Sequence, residues 1–205
     1  MIVKKICVFL GVLLLLGVTT TAFGSIIDGK KFEFSTAISW ESYSYHYPGQ
    51  PATYQDKWSY FNIPIRFGWY IWKGLEFEPE FLWTLYHEHY GNGSSVENYN
   101  TSNYLLSLNL LYNYRLNPTS HWVPFILVGY GFGNGAPEEG NISDWGTGYK
   151  VSTPNLGIGV KYLFGNIGAL RLEYRYRYYR IKDVENSTPY YYTFNTIFVG
   201  LSLFF

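Results

Sequence analysis

Eight stretches of the chain alternate bulky apolar with small or polar residues at a period of two, and short and long polar connections take turns between them. Aromatic residues outnumber charged ones, at 21% against 15%. Together these predict an all-β chain folded as an eight-stranded antiparallel up-and-down transmembrane β-barrel. The alternation sets two environments on the two faces of every strand, and ring-rich usage suits a surface between lipid and water.

The amino end reads as a leader. Met1 to Lys5 is short and basic, Ile6 to Val18 is apolar, and Thr19 to Gly24 is small and polar, the layout of a secretory signal peptide. Its apolar part is too short for a spanning helix, which needs about 20 residues. Ala22 and Gly24 supply the small side chains needed beside a cleavage point, so residues 1–24 are expected to be removed and 25–205 to form a single barrel domain. Cys7 lies inside the leader, badly placed for lipid attachment, and leaves the remaining chain without a thiol or disulfide. Loss of Lys4 and Lys5 takes the basic count from 15 to 13 against 15 acidic residues, a formal charge of −2. That balance implies no nucleic-acid partner.

The first strand sets Phe32, Phe34, Ile38 and Trp40 against Glu33, Ser35, Ser39 and Glu41. The second, from Trp58 to Trp72, sets Phe61, Ile63, Ile65, Phe67, Trp69 and Ile71 against Asn62, Arg66 and Gly68. The third opposes Leu75, Phe77, Phe81, Trp83 and Leu85 to Glu76, Glu78, Glu80 and Thr84. In the fourth, Tyr104, Leu106, Leu108, Leu110, Tyr112 and Tyr114 oppose Asn103, Ser107, Asn109, Asn113 and Arg115. The fifth, Trp122 to Gly133, puts Ile126, Val128, Tyr130 and Phe132 opposite Gly129, Gly131 and Gly133. The sixth turns Leu156, Ile158, Val160, Tyr162 and Phe164 away from Asn155, Gly157, Gly159 and Lys161. The seventh sets Leu170, Leu172, Tyr174, Tyr176 and Tyr178 against Arg171, Glu173, Arg175 and Arg177. The eighth places Ile197, Val199, Leu201, Leu203 and Phe205 opposite Thr196, Gly200 and Ser202.

Turn formers mark short connections at 73–74, 117–121 and 165–168, and long polar loops are expected near 46–57, 88–102, 134–148 and 180–190. Three short turns and four long loops suit eight strands whose termini share the short-turn side, which would then face the periplasm.

Volume decides which face is inside. A soluble lipocalin-like barrel would have to enclose the apolar face, yet an eight-stranded interior is filled by roughly a dozen side chains, and this face offers far more. The opposite face carries Gly129, Gly131, Gly157, Gly159 and Gly200, which leave room for long neighbours in a narrow lumen but would only weaken strands exposed to water. The charges are therefore expected inside and the aromatics in lipid. Register is fixed by the same energetics, because a one-residue slip of the seventh strand would put Arg171, Arg175 and Arg177 into hydrocarbon at about 2–4 kcal/mol each near the midplane. Trp40, Trp83, Tyr104, Tyr130 and Tyr178 are expected in an outer aromatic belt, and Trp69, Trp72, Tyr114, Trp122 and Phe164 in an inner one.

The expected lumen charge network comprises Glu33, Glu41, Glu76, Glu78, Glu80 and Glu173 with Arg66, Arg115, Lys161, Arg171, Arg175 and Arg177; Glu88 shares that face. Nearly balanced signs favour ion pairing that plugs the barrel over a polar conduit, since open aqueous channels belong to barrels of about 16 strands. Glu78 and Glu80, at i and i+2, could serve as acid and base, but facing basic neighbours they read as structural. His87 and His89 flank Glu88 at a spacing that could reach a metal, without a recognisable third ligand. No catalytic, cofactor or metal site is therefore expected.

Three segments carry a family likeness: PFILVGYGFG from Pro124, RLEYRYRY from Arg171 and VGLSLFF ending at Phe205. With the leader, they resemble the small bacterial outer-membrane β-barrel group that includes the eight-stranded OmpA and OmpX-type proteins. The likeness implies insertion into the outer membrane of a Gram-negative envelope by the assembly machinery, with Val199, Leu201, Leu203 and Phe205 as the recognition strand. It departs from the OmpA pattern in having no peptidoglycan-binding domain after Phe205, so cell-wall anchoring is not implied. A monomer meeting outer-membrane lipid and lipopolysaccharide through four loops is the expected role. A small porin-like transport barrel or a lipid A-modifying enzyme is the alternative. Lipid A deacylases and palmitoyltransferases share the eight-stranded architecture, and His87 or His89 with Ser94 or Ser95 and Glu88 would be the outer-rim candidates. The deacylases carry His and Ser two apart on one strand, a pair this chain lacks.

Overall fold

A computed structural model describes residues 29–46, 54–92, 96–115, 117, 119–134, 149–183 and 189–205. The expected leader, Cys7, Ser94 and Ser95 lie outside the described residues. Eight strands follow one another: β1 (Phe32–His46), β2 (Tyr54–Trp72), β3 (Leu75–Asn92), β4 (Val96–Asn113), β5 (Trp122–Asn134), β6 (Tyr149–Phe164), β7 (Gly168–Asp183) and β8 (Tyr190–Phe204). Each pairs antiparallel with its neighbour in sequence and β8 returns to β1, closing an up-and-down barrel.

Several strands outrun the stretches that alternate in sequence. β2 begins at Tyr54 rather than Trp58, β3 continues past Leu85 to Asn92, and β4 starts at Val96, so residues 54–57, 88–92 and 96–102 of the expected loops belong to strands. Crossing a bilayer takes about 9–11 strand residues, so the 18 of β3 carry the ladder well beyond the hydrocarbon. Beyond the hydrocarbon a paired backbone sustains the sheet without requiring a two-faced apolar pattern. At the other end β4 stops at Asn113, leaving Tyr114 and Arg115 in the connection to β5. The tightest turn, 73–74, relies on Gly74 at φ +82°, which a side chain would strain, and Asn113 caps it by donating its backbone N–H to the Gly74 carbonyl at 2.8 Å.

The faces sort as the alternation demands. Trp40 is 71% exposed, Ile197 62% and Ile158 61%, whereas Arg66, Arg171, Arg175 and Arg177 are each buried to 2% or less. Apolar side chains stand outward around the whole circumference, a surface far beyond the few hundred Å² of contiguous apolar patch that water-soluble monomers carry. Hydrocarbon is the solvent that fits it. The residues expected in both aromatic belts all stand on this outer face.

The seam is uneven. β1 and β8 pair only from Glu33↔Phe204 to Ile38↔Val199, at the short-turn end. Farther out β1 continues on β2 alone to His46↔Gln55, and β8 on β7 to Ile181↔Tyr190.

Candidate functional site: the ion-pair ladder of the lumen

β7 climbs from the short-turn end with Arg171, Glu173, Arg175 and Arg177 on its inner face, because alternate residues share a face. β3 opposes it across the lumen with Glu76, Glu78 and Glu80, while β1, β2 and β6 add Glu33, Arg66 and Lys161. At the bottom, Lys161 Nζ donates to Glu33 at 2.5 Å and to Glu76 at 3.0 Å. The Tyr70 hydroxyl donates to Glu33 and receives a bond from the same ammonium. One step higher, Arg171 spans Glu78 at 2.5 Å and Glu173 at 2.7 Å. Above that, Glu80 collects Arg66 at 2.7 Å, Arg175 at 2.7 Å and Arg177 at 3.3 Å, and Glu173 also meets Arg66 and Arg175. Five carboxylates thus face five cations, all with side chains at most 2% exposed. Matched signs matter because an unpaired ion in a desolvated lumen is costly by several kcal/mol, about 3–5 when one partner is removed.

Two of the twelve residues expected in this network stand apart from it. Glu41 lies half-buried at the long-loop mouth and accepts a hydrogen bond from the Tyr43 hydroxyl at 2.8 Å. Arg115 lies at the short-turn end, where its Nε donates to the Ser120 carbonyl at 3.1 Å. Glu41 shares the inward strand face and borders the same cavity as Arg177, while Arg115 follows the end of β4 at the opposite end of the barrel. Glu88 also points inward and accepts from Trp58 Nε1 at 2.6 Å.

The lumen is also more apolar than the alternation implied. Val123, Leu163, Ala169 and Phe204 cluster beneath the ladder with Tyr70, and Ala37, Leu82, Leu105, Val151, Ile181 and Phe198 form a second cluster toward the mouth. Two inward rings were not foreseen. Phe198 lies under the guanidinium groups of Arg66, Arg175 and Arg177 at 5.1–5.7 Å, and Phe125 under Arg171 at 4.8 Å and Lys161 at 5.6 Å. At these distances a ring face attracts a desolvated cation. The sequence held a signal for both: each is a large aromatic residue in phase with glycines and polar residues rather than with the apolar face.

Between the upper cluster and the long-loop end is a cavity of about 50 Å³, bordered by Glu41, Asn62, Thr84, Asn103, Arg177 and Tyr179. It suits a few waters, well short of the 300–1,000 Å³ usual for organic ligands.

His87, Glu88 and His89, whose spacing in the sequence could reach a metal without a recognisable third ligand, do not face a common point. His87 and His89 stand on the outer face of β3, whereas Glu88 between them turns into the lumen, so the three cannot converge. Val199, Leu201, Leu203 and Phe205 all lie exposed on the outer face, and the Phe205 ring approaches Phe32 at 5.9 Å and Phe67 at 6.2 Å.

A family model described as "Outer membrane protein beta-barrel domain" matches residues 10–205. The chain belongs to that family. Membership in the outer-membrane barrels, together with the closed eight-stranded sheet, places it in the bacterial outer membrane, and the apolar outer face is its lipid-facing surface. Comparison with curated protein sequences found no match. Similar solved structures include one titled "De novo design of transmembrane beta-barrels", at 10% identity and a TM-score of 0.46, covering 88% of this chain and 100% of that one. Another is the N-terminal β-barrel domain of Pseudomonas aeruginosa OprF, at 12% identity and a TM-score of 0.44, covering 87% of this chain and 100% of that domain.

Proposed function

We propose that this outer-membrane barrel is closed to solutes and serves a structural or surface-interaction role. In this reading the long-loop end faces outward to lipopolysaccharide and envelope or host partners, and the barrel is a monomer. Residues 1–24 would be removed on export, and the assembly machinery of a Gram-negative envelope would read Val199, Leu201, Leu203 and Phe205. The observation that carries closure is the charge-matched ladder seated on Phe125 and Phe198 between two apolar clusters. Ions crossing it would have to separate pairs that lack water to replace their partners.

The cavity at the mouth supports a second reading, a small transport barrel that opens when Arg177 leaves Glu80. Single-channel recording of the purified protein in planar bilayers tests both. Closure predicts no stable openings, and reproducible conductance steps would overturn it. A lipid A acylation assay on the same preparation tests the enzymatic alternative, in which altered acyl content would replace a structural role.

A further inference from the structure

Charge sorts by face in this barrel. The side chains of Glu33, Glu41, Glu76, Glu78, Glu80, Glu88 and Glu173 all turn into the lumen or its mouth. The described charges on the outward face of the strands are all cationic, and three gather where β6 and β7 leave the apolar zone. Lys150 lies directly opposite Lys182, and Arg180 sits between Ser152 on β6 and Tyr191 on β8. All three are exposed, and none has an acidic partner among the described residues. Like charges facing one another across a strand pair destabilise it, and a bound anion would relieve that repulsion.

The surroundings say which anion. Two residues toward the membrane from Arg180 stands Tyr178, its ring stacked at 5.7 Å on that of Tyr191, the cross-strand partner of Arg180, and below Tyr178 come Tyr176 and Tyr174. Such a belt marks the level of the lipid headgroups. Two strand residues span about 6.6–6.8 Å, so along β7 Arg180 stands one such step beyond Tyr178 and Lys182 two. That is the level at which phosphates of the outer leaflet lie.

We propose that Lys150, Arg180 and Lys182 form a binding site for the phosphate groups of an anionic outer-leaflet lipid of the lipid A class, with Tyr178 and Tyr191 packing at its headgroup boundary. The planar Arg180 guanidinium can grip a phosphate through two parallel hydrogen bonds, and the two ammonium groups act as point charges on either side. The site rests on the reading that the long-loop end faces outward.

The test uses the folded full chain in nanodiscs and two probes, bis-phosphorylated lipid A and the same lipid with its phosphates removed, with binding read by native mass spectrometry. Three basic side chains near a lipid surface together contribute a factor on the order of a hundredfold, so K150Q/R180Q/K182Q should weaken binding of the phosphorylated lipid by about that much. The dephosphorylated lipid should bind the unsubstituted protein equally weakly. K150R/K182R keeps the charge and should keep the affinity, and K31Q/K73Q at the opposite end should not change it. Undiminished binding by the triple variant, equal binding of both lipids, or complete displacement by millimolar inorganic phosphate would overturn the site. Should the triple variant fail to fold, as shown by loss of its heat-dependent gel shift, K150R/K182R with the two lipids still decides. A non-conducting barrel indifferent to lipid phosphate would remove this site and leave closure standing, whereas a conducting barrel that binds it would do the reverse.

Discussion

Replacing Glu80 by Gln probes the ladder at its most connected point. The carboxylate accepts from Arg66 Nε and Arg175 Nη1 at 2.7 Å and meets Arg177 Nη2 at 3.3 Å. A Gln side chain keeps the shape but brings an amide donor against three guanidinium groups and leaves five cations facing four carboxylates. Arg66 and Arg175 retain Glu173, while Arg177 loses the one acidic partner it has among the described residues. Breaking a buried pair in this way costs about 3–5 kcal/mol. Urea unfolding of the barrel in lipid vesicles, followed by the electrophoretic difference between folded and unfolded forms, reads it directly. With a slope of about 2 kcal/mol/M, the midpoint should fall by roughly 2 M. Restoring neutrality with E80Q/R177Q should recover part of the loss, giving a coupling of about 1–3 kcal/mol, whereas exposed K73Q should stay within about 0.5 kcal/mol. A loss below about 1 kcal/mol for E80Q, or strictly additive effects in the double variant, would refute the view that the ladder is a single desolvated unit.

The outer face is tested by L172R, which places a cation among half-buried Val160 and exposed Val199 and Leu170 and should cost about 2–4 kcal/mol in vesicles; near-neutral behaviour would show that this face is not in hydrocarbon. At the closing seam, a Cβ on Gly200 would lie 2.2 Å from the Thr36 carbonyl oxygen and 2.5 Å from Ala37 Cβ, while one on Gly157 would meet nothing nearer than 3.2 Å. G200A should therefore lower stability by about 1–3 kcal/mol and G157A by less, and equal effects in vesicle unfolding would contradict the close approach of β1 and β8.

Much of the fold is legible in the sequence because a lipid-bounded strand must declare both faces. In β7, Leu170 to Tyr178 and Arg171 to Arg177 separate without exception, so strand, register and direction follow from one pattern. Legibility fails where that constraint lifts. Glu88 to Asn92 and Val96 to Ser102 continue the ladder beyond the length that hydrocarbon requires, where composition need not follow the two-faced pattern. It fails again in β5, where Val123, Phe125 and Leu127 are as apolar as Ile126 and Val128, so the run alone does not say that three of them turn inward. The ladder's members were readable as a set of inward charges, but which carboxylate takes which cation depends on cross-barrel distances that no single strand encodes. Glu41 and Arg115 show the cost of reading the face without the height.

The short seam has a consequence for how the cylinder comes into being. Every other hydrogen-bonded strand pairing joins neighbours along the chain, so a growing ribbon can zip hairpin by hairpin with small entropic penalties, while the join between Glu33–Ile38 and Val199–Phe204 must bring together the two most distant parts of the sheet. That latch is therefore expected to close last as the sheet rolls up. Gly200 sits within it because two backbones meeting so late need a gap that no side chain obstructs.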